Sequence, residues 1–114
     1  MAFAEFLLSA RPAAIRAIAS RAHVYNDIAH TCSDSASRRA AFRVKVACVS
    51  RLLTIHGAVE IEELLPAFGL ITVGLPTGRL HVPIEHLEPA AKRAVARFVS
   101  TYLSETCRET DGSL

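Results

Sequence analysis

Tryptophan is absent from the 114 residues, and aromatic residues of every kind make up only 6% of them. So few rings argue against a platform on which successive bases would stack, the usual device for holding single-stranded nucleic acid. Cysteine is scarce as well: Cys32, Cys48 and Cys107 are odd in number and widely spaced. That pattern excludes a disulfide framework, and even with His56 added it lacks the close pairs of a structural zinc site. There is no glycine-rich phosphate loop, since Gly69, Gly74 and Gly78 fall where turns and strands are expected. Nor is there a long apolar run. The longest stretch without charge, Leu64–Gly78, contains Pro66, Gly69, Gly74 and Pro76 and is too short to span a bilayer.

What remains is rich in apolar residues, at 51%, with 21% charged. This excludes a disordered chain and predicts one compact domain over residues 1–104, followed by a polar tail over 105–114. The apolar excess also predicts self-association. No charged-then-apolar leader opens the sequence, so a reducing compartment is expected, cytoplasmic or nuclear. Met1–Ala22 is rich in Ala, Ser and Arg with Glu5 as its only acid, as organellar targeting segments are. Its apolar pattern runs on to Ala29 without a break, which favours an ordinary helix.

The longest segment of helical character is Ser33–Gly57. Ser33, Asp34 and Ser35 offer oxygens that can cap a first turn, and Gly57 can adopt the left-handed conformation that ends a last one. Ala41, Val44, Cys48, Leu52 and Ile55 form one apolar row, and Phe42, Val46, Val49 and Leu53 form a second beside it. Arg39, Arg43, Ser50 and Thr54 remain as a narrow polar strip, so this is read as the central helix.

Before it, Pro12 disfavours helical geometry at Arg11, which predicts a short helix over 2–10 and a second over 12–30 with the seam Ile15, Ile18, Ala22, Tyr25 and Ala29. Cys32–Ser37 would fold that helix back on the central one. After Gly57, acids at Glu60, Glu62 and Glu63 and the prolines and glycines downstream predict a brief fourth helix ending at Gly69. Leu70–Leu75 and Arg79–Ile84 flank Pro76-Thr77-Gly78 and read as a β-hairpin, with Pro83 marking an edge. Pro89 opens an amphipathic last helix to about Ser104. The expected fold is α+β: a mostly helical single domain of four to five helices with one β-hairpin near residues 70–85. A lone hairpin is marginal in water and needs the helices or a second copy's strand against it.

Charge is unevenly divided. Residues 1–51 hold eight basic groups against three acids, and residues 52–114 hold five against eight. Arg38, Arg39, Arg43, Lys45 and Arg51 on the central helix, joined by Lys92, Arg93 and Arg97 on the last, are the candidate binding surface. The segment His81-Val-Pro-Ile-Glu85-His86 has the composition of a zinc-hydrolase motif, but its histidines are one residue too far apart and Pro83 forbids the helix. No nucleophile, base and orienting group fall at usable spacing, so no enzyme, cofactor or metal is expected. The reading is a small non-enzymatic, self-associating accessory protein that binds a larger protein partner. The alternative is a nucleic-acid-binding regulator that uses the arginines of the central helix.

Overall fold

The computed structural model describes the backbone of residues 3–55 and 57–112 and the side chains of residues 11–55 and 57–101. Along the chain come α1 (Phe3–Thr31), α2 (Ser35–Leu53), β1 (Glu60–Leu65), β2 (Leu70–Leu75), β3 (Gly78–Pro83) and α3 (Pro89–Gly112). Single 3₁₀ turns lie at Pro66–Phe68 and Ile84–His86. The class is α+β, but with three α-helices among the described residues rather than four to five, and with a sheet of three strands rather than a lone hairpin.

α2 starts where its cap residue dictates. Asp34 is extended, and its carboxylate accepts the Ser37 N–H at 2.9 Å and the Ser37 hydroxyl at 2.6 Å. These bonds hold the Asp34 carboxyl below the ordinary carboxylate pKa range. At the other end the helix stops at Leu53, short of Gly57. The Thr54 hydroxyl takes the Arg51 carbonyl at 2.7 Å, and the Thr54 and Ile55 N–H groups bond three residues back instead of four. That tightening ends the α-helix, and Gly57 (φ 75°) merely turns the chain afterwards.

Val46, Val49 and Leu52 of α2 are buried in one cluster with Ala19 and Ala22 of α1, Ile71, Val73 and Val82 of the sheet, and Ala91 and Val95 of α3. Ser50, expected on the polar strip, is instead completely buried. Its hydroxyl accepts the backbone N–H of Glu88 at 3.1 Å, just before α3 begins, so a polar side chain on the inner face ties α3 to α2.

The segment expected as a fourth helix is strand β1. Ile61 and Leu64 stand three residues apart, a spacing that suits one face of a helix. In the sheet Ile61 pairs with Val73 and Leu64 with Ile71, and the register shifts between Ile61 and Glu63. The bulge at Glu62 lets two residues at odd spacing share the core face of a strand. It also aims Glu62 across β2 at Gly74, where a Cβ would stand 2.5 Å from Glu62 Oε1. Glu62 thereby reaches Arg79 Nε on β3 at 2.6 Å.

Sheet order is β1-β2-β3, all antiparallel, with Ile71 opposite Val82 and Val73 opposite Leu80. Pro83 closes the edge strand β3, as its missing N–H requires. The break expected at Pro12 does not occur: α1 runs through it, leaving one helical hydrogen bond unmade. Alanines at 10, 13, 14, 17, 19 and 22 favour helix strongly enough to carry the chain across. α3 continues past Ser104 because the first glycine after it is Gly112. Among the described residues no helix is long and apolar enough to cross a membrane.

Two outcomes follow from these caps and ties. Ser50→Ala should destabilise the protein by about 1–3 kcal/mol in urea unfolding, because the Glu88 N–H loses its acceptor. The exposed control Ser100→Ala should stay within about 0.5 kcal/mol of the parent; equal losses would remove the tie. For Asp34 the folded-state pKa is depressed, so its contribution is present above the unfolded pKa and lost as pH falls through the folded one. Asp34→Ala should therefore melt below the parent at pH 7, and the gap should close under strong acid; a gap that persists there would count against the cap.

Candidate functional site

α2 carries two different basic rows. Arg39, Arg43, Ala47 and Arg51 follow one another every four residues and are all exposed. Over twelve residues at 1.5 Å each, they form a ridge about 18 Å long. The second row is Arg38, Phe42 and Lys45, separated by steps of four and three and so carried on a neighbouring side of the helix.

Along the ridge runs a furrow of about 360 Å³ between α1 and α2, lined by Ile18 and Arg21 of α1 and by Arg43, Val44, Cys48 and Arg51 of α2. Arg21 was not singled out by the sequence reading. It directly precedes Ala22 of the α1 seam, and that seam together with the expected antiparallel packing was the signal that could have found it. Among the described residues, Arg21, Arg39, Arg43 and Arg51 make no ion pair. Four guanidinium groups in this arrangement can donate planar, bidentate hydrogen bonds to phosphate or carboxylate.

Cys48 forms part of the furrow floor, and its thiol is poorly suited to nucleophilic work. Burial pushes its pKa up, and the nearby Arg21 and Arg51 charges, which pull the other way, only reduce the rise. Cys32 is partly buried and unbridged. The side chain of Cys107 and all of His56 lie outside the described residues.

The second row faces a different space. A groove of about 770 Å³ lies where the end of α1, the first half of α2 and the Leu70–Pro83 end of the sheet converge. Arg38, Arg39 and Lys45 line it together with His30 and His81. Arg38 also donates a long 3.4 Å hydrogen bond to the Cys32 carbonyl, which links the start of α2 to the end of α1. Lys45 is buried, whereas Arg38 and Arg39 are exposed. Lys92, Arg93 and Arg97 are exposed on α3 and line neither the furrow nor the groove.

The two histidines of the zinc-like segment go to separate surroundings. His81 Nδ1 lies 3.0 Å from the Thr72 hydroxyl across the β2–β3 pair. His86 follows in a 3₁₀ turn, its ring edge-on to Phe42 with centroids 5.3 Å apart and its Nε2 3.5 Å from Glu85. Among the described residues no three metal-ligating side chains cluster. Comparison with protein-family models, with curated proteins and with solved structures gives no significant match, so the functional reading rests on the chain's own geometry.

Proposed function

We propose that this chain is a non-enzymatic binding protein that engages a nucleic acid through the basic ridge of α2. The observation that carries the reading is the row Arg39, Arg43 and Arg51, three exposed arginines on one side of one helix that make no ion pair among the described residues, with Arg21 across the furrow. Unpaired guanidinium groups give up little to bind phosphates, and the counterions released from the polyanion supply the affinity. The chain is short of aromatic rings, which favours contacts to the backbone over stacking on bases. A ridge read in this way positions a polyanion without selecting a sequence.

Titration into labelled random single- and double-stranded oligonucleotides tests this. Binding should weaken steeply with salt. Replacing Arg39, Arg43 and Arg51 together by Gln should lower the slope of log affinity against log salt on duplex by up to about 3, at roughly 0.9 per phosphate. The substitutions lie on exposed positions, so the melting temperature should hold. Absence of binding by the parent at low salt would sink the reading.

A second reading, self-association with recruitment of a larger protein partner, is favoured by shape. The radius of gyration is 16.6 Å, against about 13 Å for a compact domain near this length. α1 has 29 residues and α2 only 19, so about 15 Å of α1 has no counterpart in the helix it packs on. One motive for a second copy is gone, since β1 supplies the third strand from within the chain. Light scattering at high protein concentration should give a mass near twice 12.3 kDa if copies pair; a monomer at that concentration would leave the nucleic-acid reading alone.

A further inference from the structure

The nucleic-acid reading makes no use of Lys45. This residue keeps only 5% of its accessible surface, yet among the described residues it has neither an ion-pair partner nor a hydrogen-bond acceptor. Burial lowers its pKa from the ordinary lysine value. Its ammonium group is not sealed off, however. Among the described residues the one enclosed side-chain polar atom without a partner is Nε2 of His23. Lys45 lines the groove between α1, α2 and the end of the sheet.

Among the described residues that line the groove, nothing neutralises it. Arg38 and Arg39 are at the same groove, His30 and His81 border it, and no carboxylate is among its lining residues. Asp34, the nearest acid in sequence, is engaged with Ser37. A buried cation with only like charge nearby lowers stability unless an anion completes the site. Phe42, Leu70 and Pro83 add apolar walls against which an organic body could lie.

We propose that this groove binds the phosphate group of a small phosphorylated molecule, with Lys45 as a point charge at its base and Arg38 and Arg39 as planar donors at its rim. Three cations match the dianion and its several acceptor oxygens better than they match a single carboxylate. The apolar walls take the remainder of the molecule. This inference goes beyond the nucleic-acid reading and does not depend on it: the two share only Arg39, since Arg38 and Lys45 have no part in the ridge and Arg21, Arg43 and Arg51 have none in the groove.

The test is thermal unfolding of the full chain with increasing inorganic phosphate or phenyl phosphate, against chloride at matched ionic strength. Both phosphates should raise the melting temperature of the parent, and phenyl phosphate should act at lower concentration. Lys45→Met should weaken phosphate affinity at least about tenfold, while melting at or above the parent in its absence, since the unpaired charge is gone and the apolar stem is replaced. Should Lys45→Met fail to fold, Arg38→Ala with Arg39→Ala, both at exposed positions, should show the same loss of response. Arg43→Ala with Arg51→Ala should keep the phosphate response while losing oligonucleotide affinity, which separates a small phosphate ligand from a polymer on the ridge. A parent that responds to phosphate no more than to chloride overturns the proposal, as does a Lys45→Met protein with the parent's response.

Discussion

The burial of α2 on three sides is the constraint from which the rest of this structure follows. Val46, Val49 and Leu52 pack in one cluster with α1, the sheet and α3. A helix surrounded in this way has little circumference left, and what is left must carry its charge. The ridge beside α1 is that remainder, while the second row runs from exposed Arg38 to Lys45, which is buried at the end of the sheet. Ser50 shows how strict the division is. Its inward position is acceptable only because the Glu88 N–H meets its hydroxyl, so the tie that docks α3 also satisfies a polar group in the core.

The same division explains why two lysine and arginine positions close in sequence have different chemistry. Arg43 stands exposed on the ridge, where water screens its charge and binding a phosphate requires little desolvation. Lys45, two residues on, is turned against the sheet end and loses most of its hydration. Exposure suits the arginine to a long, diffuse polyanion. Burial suits the lysine to one discrete anion, whose charge the low-dielectric surroundings make more valuable.

β1 illustrates a different kind of compensation. A bulge leaves an extra residue without a place in the ladder, yet Glu62 finds a use for its side chain by crossing Gly74 to Arg79. The pair is largely exposed, so it fixes geometry more than it adds stability. The bulge also brings Ile61 and Leu64 to one face, giving the hairpin the third strand it needs to be stable in water.

Local chemistry alone marked much of this protein. A cap among Ser33, Asp34 and Ser35, the apolar rows of α2, a hairpin of Leu70–Leu75 and Arg79–Ile84 with its edge proline, and the amphipathic start of α3 were all legible, because each depends on residues within a turn or a strand of one another. Arg39, Arg43 and Arg51 were legible as a basic surface for the same reason. Three features were not. Ile61-Glu-Glu-Leu64 has a spacing that both a helix and a bulged strand satisfy, and only pairing with Val73 and Ile71 chooses between them. Pro12 breaks a helix by local rules, and continuity depended on the alanine-rich segment and its packing on α2. Ser50, Lys45 and Arg21 took their surroundings from elements tens of residues away, and burial or approach of that kind is a property of the folded chain that no local pattern encodes.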